Sequence, residues 1–498
     1  MNKKYFLILV VCLFFLLSAC AETPTQENVV GKDRKELEEK INTAPAEIDD
    51  PNQLIDEEGQ DLLLEQYSFV SDDGIVQYRF TGTAKLLDVE QIPVLLAEIR
   101  FRTPGEVEKI CRVLCGDNPI YEYTEQMTKP NLEEEILQIR KSLDPDAMYE
   151  YYQGNSELIE QAKQFLEQRL ERLEEQYQTA SDQIGYQPCN FIFMPDSYWH
   201  TTSGLSGGDG DSITAVSEVD GVPMYMQEFQ HNGTDYRIDN FHYYPDEMSA
   251  MSRGKPIADI RQKEPITEED AQGYIARIEA TLDKMGIGTW KCSSYRIIET
   301  EFYGRPRYSL YTEWTPYYEG IPVTKQPQIW NLKSDGVFVA KYRYEDLSLE
   351  FTSDRIIRMT YFSPLGVKEI VNENVEILPY DEIMDRIVNQ LAMTYTKHSV
   401  AQSLEWMLFD PETGNTKPLE GATVLVKGIE LGYVRINVPD SETEFYFVPG
   451  WTVTGTLVPG NEYVNEAVLH EEWVEESTTT LLCINAIDGS AIDVSKGY

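Results

Sequence analysis

Apolar and polar positions alternate with period two in the first third of the chain. Gln66 to Val70, Ile75 to Thr83 and Leu95 to Phe101 follow that pattern, which predicts strands. Ser71-Asp72-Asp73-Gly74 supplies a turn between the first two. The period then changes to that of a helix. Thr103-Pro104-Gly105-Glu106 starts one, with Val107, Ile110, Val113 and Leu114 on a single face. Asn131 can cap a second, with Leu132, Ile136, Leu137 and Ile139 turned inward. A longer amphipathic helix is predicted from Ser156 to Thr179. Its stripe is Leu158, Ala162, Phe165, Leu166, Leu170, Leu173 and Tyr177. Such a stripe is expected to dock on the helix's own sheet; a coiled-coil partner is the alternative. Strands follow at Cys189 to Met194, Ile213 to Val219 and Met224 to Phe229, with a turn at Asp220-Gly221.

The same order recurs about a hundred residues later. Thr267-Glu268-Glu269-Asp270 reads as a capping box, and Ala271, Tyr274, Ile275, Ile278, Leu282 and Met285 form the stripe behind it. Gly286 and Gly288 stop that helix. Strands are predicted at Cys292 to Glu299 and Tyr308 to Thr315, with a turn at Glu319-Gly320. Gly221-Val222-Pro223 and Gly320-Ile321-Pro322 match, because glycine permits a left-handed turn and proline fixes the chain leaving it. A third, more divergent copy is predicted from Tyr380. Ile383, Met384, Ile387, Val388 and Leu391 form its stripe. Its strands are Ala422 to Ile429, Tyr433 to Val438, Glu444 to Val448, Trp451 to Leu457 and Thr480 to Ile484, closed by a hairpin at Asp488-Gly489. The expected fold class is α+β, in tandem modules of one amphipathic helix on a small antiparallel sheet. An N-terminal α+β unit spans 60–150, and the three modules span 151–260, 261–378 and 379–498.

The N-terminus has a different pattern. Lys3 and Lys4 precede thirteen apolar residues, Tyr5 to Leu17, and Leu17-Ser18-Ala19-Cys20 follows. A basic head, a short apolar run and small residues before a break describe a secretory signal. With a cysteine directly after the break, the segment resembles the signal peptides of bacterial lipoproteins. That resemblance implies cleavage after residue 19, lipid on Cys20 and attachment to the extracytoplasmic face of the cell membrane. An ordinary signal or an uncleaved anchor is the alternative. Residues 20–58 then read as a flexible tether, rich in charge and carrying Pro24, Pro45 and Pro51; Asp33 to Ile41 has a short helical pattern.

The chain of 498 residues carries 42 Lys and Arg against 85 Asp and Glu, a formal net charge of -43. That field repels phosphate backbones, so nucleic acid is excluded as a partner. Cys12 leaves with the signal. Cys111, Cys115, Cys189, Cys292 and Cys483 remain, an odd and sparse set that reads as buried apolar residues rather than a disulfide framework. Cys111 and Cys115 lie four apart on a predicted helix and can bridge or hold a metal, but no histidine lies nearby in sequence. The 31 tyrosines suit strands; a tyrosine-rich surface can also bind glycans.

The closing run Leu482 to Asp493 and each Gly-[Val/Ile]-Pro turn resemble PepSY-type modules, in which a helix packs on a small antiparallel sheet. Together with Val448-Pro449-Gly450-Trp451 the chain is similar to extracytoplasmic regulators of the YycH and YycI type. Tyr78 to Ile110, with Ile92-Pro93-Val94 ahead of the Thr-Pro-Gly-Glu helix, resembles a family of uncharacterised lipoproteins of anaerobic Gram-positive bacteria. These resemblances imply a regulator of an envelope sensor and bring no catalytic residue.

Candidate chemistry is sparse. Gly204-Leu205-Ser206-Gly207-Gly208 fits the nucleophile elbow of hydrolases, with His231 or His242 as base, but its flanks lack the strand and helix the elbow needs. Asp209 and Asp211 alternate as in calcium loops, yet Ile213 stands where the next ligand belongs. His470-Glu471-Glu472 begins like a zinc-peptidase helix, but position 474 is Val474. Paired acids are abundant enough that counting excludes nothing. No catalytic, cofactor-binding or metal-binding residue is assigned, and no cofactor is expected. The expected function is a non-catalytic lipoprotein, anchored through Cys20, that binds a partner protein or peptide. The alternatives are an envelope hydrolase acting on glycan or peptide bonds, and a solute-binding protein.

Overall fold

A computed structural model describes residues 34–43, 62–123, 129–149, 156–196, 210–245, 260–324, 344–460 and 479–493, excepting 86, 88–91, 146–147, 150, 181–186, 233–236, 303–304, 405–408, 411–414, 417 and 442. The fold is α+β. Contacts divide the chain into two units. One comprises Met1–Arg100, Thr315–Tyr344 and Leu365–Tyr498; the other comprises Phe101–Trp314 and Glu345–Pro364.

In the first unit the sheet order is Leu62–Leu63, Val76–Lys85, Ala422–Asn437, Glu444–Pro459, Val94–Ile99, Leu365–Asn372. Its centre is one hairpin of two 16-residue strands, paired from Ala422 opposite Pro459 to Asn437 opposite Phe445. The sequence predicted four short strands here. The glycines and Pro449 read as breaks, but Gly432 faces Gly450 and Pro449 faces Tyr433 within one ladder, whose register shifts once, between Val426 and Gly428. Gly432 has a packing role: a Cβ there would sit 2.7 Å from the carbonyl oxygen of Pro322, on a segment that pairs with Tyr433. Val76–Lys85 lies parallel to Ala422–Asn437, so the sheet is mixed rather than antiparallel. Gly82 makes that pairing possible, since a Cβ would collide with the Lys427 carbonyl at the bulge between Val426 and Gly428.

Helix Tyr380–Thr394 forms as predicted and buries Ile383, Met384, Ile387 and Leu391. The short helix Arg34–Ile41 also forms, but it is not part of a free tether. Leu37 and Ile41 are fully buried in the same core as Trp451, Tyr433 and Phe447. Asn372 Nδ2 donates to the carbonyls of Ile41 at 2.9 Å and Thr43 at 3.0 Å, closing the helix end. Two buried apolar side chains four apart, Leu37 and Ile41, give a short stretch enough buried area to hold it in place.

In the second unit the sheet order is Thr289–Phe302, Arg305–Tyr318, Asp346–Phe351, Ile356–Phe362, Arg237–Pro245, Val222–Asn232, Gly210–Val219, Ile120–Glu122. Helices Pro104–Cys115 and Glu268–Met285 pack on it, each started by a complete capping box. Their buried faces meet Ile213, Met226, Phe241, Tyr243, Leu310, Trp314, Leu349 and Met359. Asp220-Gly221 and Glu319-Gly320 are the same two-residue turn, all four residues having left-handed φ. The copies then part. Val222–Asn232 runs eleven residues from its turn, whereas Ile321–Pro322 ends after two.

The contiguous modules expected from the sequence are therefore not the units of the structure. Ile356–Phe362 pairs with Arg237–Pro245, which joins strands of 151–260 and 261–378 into one sheet. Strands of 60–100 pair with those of 422–459. Among the described residues the helix Ser156–Thr179 docks on another helix, not on a sheet. It pairs with Lys129–Ser142, where Leu173 packs with Leu132, Ile136 and Ile139, and Arg140 meets Glu174 at 2.7 Å. Periodicity shows that a helix has an apolar stripe and says nothing of what covers it. Ile41→Ala tests the docked segment: loss of a fully buried Ile side chain is expected to lower unfolding free energy by about 2–5 kcal/mol in urea titration, and no change would return residues 34–43 to a tether.

Candidate functional site

Thr289–Phe302 is a strand of 14 residues at the end of the second unit's sheet. Gly286 and Gly288, both with positive φ, turn the chain out of the preceding helix and into it. Trp290 anchors its start. The ring is buried edge-on to Tyr361 at 5.5 Å, and Nε1 donates to the Ile287 carbonyl at 3.0 Å. Three cross-strand contacts share one antiparallel register with Arg305–Tyr318. Ser294 donates to Glu313 at 2.8 Å, the Arg296 guanidinium lies 4.8 Å from the Tyr311 ring centre, and Tyr308 donates to Glu299 at 3.4 Å.

No strand pairs with the outer edge of Thr289–Phe302 among the described residues. Tyr295 and Ile297 are 36% and 40% exposed there. Tyr295 is held rather than loose: its hydroxyl donates to Glu268 and accepts from Gln272 Nε2 at 3.2 Å. The Tyr295 hydrogen bond, followed by that of Gln272, holds the Glu268 carboxyl below its usual range. The edge strand Leu365–Asn372 of the first unit is built differently. Two register shifts interrupt its pairing, and Lys368 bonds Glu444 at 2.8 Å and approaches Glu98 at 3.5 Å. Register shifts of that kind discourage strand addition, whereas Thr289–Phe302 keeps one register from Ser294 to Glu299. What Thr289–Phe302 can do chemically is hydrogen-bond an extended backbone.

The second unit also contains a buried ion cluster. Arg102 lies one residue before the cap of Pro104–Cys115, and its side chain is 3% exposed; Glu228 and Asp239 are both 0% exposed. Arg102 NH1 donates to Glu228 Oε2 at 3.1 Å and to Asp239 Oδ1, and its backbone N–H donates to Asp239 Oδ2 at 2.7 Å. NH2 donates to the Tyr361 carbonyl at 3.3 Å, and the guanidinium carbon lies 3.9 Å from the Tyr361 ring centre. Gln230 Nε2 closes the set on the Arg102 carbonyl at 2.7 Å and on Asp239 Oδ2 at 3.2 Å. Burial pushes the Glu228 carboxyl well above its usual range; Arg102 opposes this and Asp239 adds to it.

The sequence reading missed this cluster, although a signal was present. Glu228 continues the inward phase of Met224 and Met226, and Asp239 begins that of Phe241 and Tyr243. An acid at an inward position of a strand needs a partner. These paired acids are sealed and bound to Arg102, so they are not an accessible acid–base pair.

Those residues singled out in the sequence that the structure describes do not converge. Cys20, Ser206, Asp209 and His470 lie outside the described residues. Asp211 faces Gln230 in the ladder, His242 faces Gln227 and meets the Phe362 ring edge-on at 5.4 Å, and His231 faces Ile238 near the hairpin end. The five remaining cysteines are free. Cys111, Cys115 and Cys483 are buried, and burial pushes Cys115 up to about 11 and Cys483 to about 12. No group of three or more metal-ligating side chains is present among the described residues.

No family model and no curated protein matches the chain. An uncharacterized protein from Eubacterium rectale is similar in structure, with a TM-score of 0.38 and 11% identity over 92% of this chain and 98% of that one. That likeness carries no assignment.

Glu228→Gln tests the cluster. A carboxyl with raised folded-state proton affinity contributes most stability below its ordinary range, and the contribution is lost as pH rises through its raised value. The amide cannot ionise. The variant is therefore expected to gain about 1–3 kcal/mol over the parent at pH 8 and less at pH 5, read from urea midpoints. Arg102→Ala, which leaves two carboxylates unpaired, is expected to lose about 3–5 kcal/mol.

Proposed function

We propose that this chain is a non-catalytic lipoprotein, held at the extracytoplasmic face of the cell membrane by lipid on Cys20. It binds a partner protein by adding an extended segment to the strand Thr289–Phe302. The 14-residue edge, unpaired among the described residues, is the observation that carries the reading. The basic head, apolar run and Cys20 support the anchor. Among the described residues no helix is long and apolar enough to cross a membrane. The likeness to PepSY-type and YycH/YycI-type regulators is supported by two capped helices lying on antiparallel strands in the second unit. It makes the outer part of a membrane sensor a natural class of partner. Among the described residues the buried acid pair, Glu228 and Asp239, is closed off behind Arg102 and gives an envelope hydrolase no support.

Cys20→Ser is expected to abolish incorporation of labelled palmitate and to move the chain from the membrane fraction to the soluble one. A photoreactive amino acid at position 301 is expected to cross-link a partner in intact cells. Ile297→Pro, which removes a backbone donor and stiffens the edge, should abolish that cross-link, whereas Ile370→Pro at the blunted edge should leave it. A cross-link that survives Ile297→Pro refutes binding at this strand.

A further inference from the structure

We propose that Cys111 and Cys115, completed by Met226, form a site for a soft monovalent cation, Cu(I). The two cysteines lie one turn apart on the buried face of Pro104–Cys115, and both thiols are free. Residues four apart on a helix are neighbours, with Cβ atoms about 5–6 Å apart. The sheet beneath supplies a thioether. Met226 is buried in Val222–Asn232, and its Sδ lies 3.5 Å from Cys115 Sγ. In the ladder Ala215 faces Met226 from one side and Tyr243 faces it from the other. A small side chain thus flanks the sulfurs on one side and a phenol on the other. The Tyr243 ring is fully buried, and its hydroxyl has no hydrogen-bond partner among the described residues. Burial pushes this phenol well up; Cys115 and Cys111 add to the rise and Arg355 opposes it, so both thiols act on the hydroxyl. A neutral thiol is a weak acceptor, whereas a metal-bound thiolate is a strong one. Metal binding gives this buried donor an acceptor.

The donors select the ion. Among the described residues no third cysteine, histidine or carboxylate joins the two thiols. A structural zinc site needs four nitrogen, sulfur or oxygen ligands and calcium needs oxygens, so neither fits. Thiolate and thioether sulfur suit Cu(I). At each cysteine the S–H bond breaks, the proton leaves to solvent and an S–metal bond forms; the thioether binds through a lone pair, and no electron is transferred. One cation with the Cys115 thiolate and the Met226 thioether is neutral, which a dry interior tolerates. The Cys111 thiolate then adds a negative charge, toward which the Tyr243 hydroxyl donates. Cys115 is the last residue of its helix, where the free carbonyls favour a cation and oppose a bare thiolate. That placement is the reverse of what a nucleophilic thiol needs. Cys189 is only half-buried; it acts on Cys111 electrostatically and lies at the margin of the site.

Anaerobic titration of the full chain carrying Cys20→Ser with Cu(I), supplied as its bicinchoninate complex, is expected to move a single equivalent onto the protein. Cys111→Ala and Cys115→Ala should each abolish the transfer. Met226→Leu and Tyr243→Phe keep the size and apolar body of the side chain, and each should weaken Cu(I) binding about 10–100-fold. Tyr243→Phe removes a buried hydroxyl that has no partner, so the metal-free variant should unfold at no lower urea concentration than the parent. A tyrosine that only fills the core would leave Cu(I) affinity unchanged. Cys292→Ala and Cys483→Ala should leave the affinity as it is. X-ray absorption at the copper edge is expected to show sulfur as the only neighbours. A parent chain that takes no Cu(I) from bicinchoninate overturns the inference, as does transfer that survives Cys115→Ala. Parent affinity in both Met226→Leu and Tyr243→Phe overturns the assigned set of residues.

Discussion

A guanidinium held between two carboxylates in a dry interior is the constraint on which the second unit depends. Arg102 precedes the capping box of Pro104–Cys115, and its bonds reach Val222–Asn232, Arg237–Pro245 and Ile356–Phe362. One residue therefore fixes where the helix begins relative to three neighbouring strands. Net stability is not its main yield, because desolvating three ionisable groups offsets most of what their attraction returns. Its yield is specificity. Displacing the helix start would leave Glu228 and Asp239 buried without a cation, so the docked arrangement is separated from its competitors by several kcal/mol.

Edges are the second constraint. A sheet leaves a row of backbone groups at each end, and the two units treat them differently. In the first unit Leu365–Asn372 is interrupted by two register shifts and crossed by the Lys368 ion pairs. In the second unit Thr289–Phe302 keeps one register over the contacts from Ser294 to Glu299 and has exposed Tyr295 and Ile297. Tyr295 is braced by Glu268 and Gln272 on the neighbouring helix. A side chain fixed before a partner arrives loses less entropy when the partner binds. The functional reading thus follows from how an edge is finished.

Much of the local structure was legible along the chain, because it is set by residues a few positions apart. Thr103 with Glu106 and Thr267 with Asp270 state where two helices start, and both boxes form. Asp220-Gly221 and Glu319-Gly320 state where two hairpins turn, since few residues other than glycine tolerate left-handed φ. The α+β class followed from alternating periods of two and 3.6. The candidate edge was legible as a strand, from Cys292 to Glu299, but not as an edge.

Partnership was decided only in three dimensions. Nothing near Val76 announces that it will lie parallel to Ala422, and nothing near Ile41 announces that it will share a core with Trp451. Pro449 and the neighbouring glycines carry a local preference for a break, which fifteen paired positions override. Glu228 and Asp239 showed an inward phase but not the guanidinium awaiting them more than a hundred residues away. The physical reason is range. Caps and turns satisfy hydrogen bonds within a few residues, so sequence alone determines them. Sheet order, buried ion partners and open edges are settled by burial competing across the whole chain, and they exist only once it has folded.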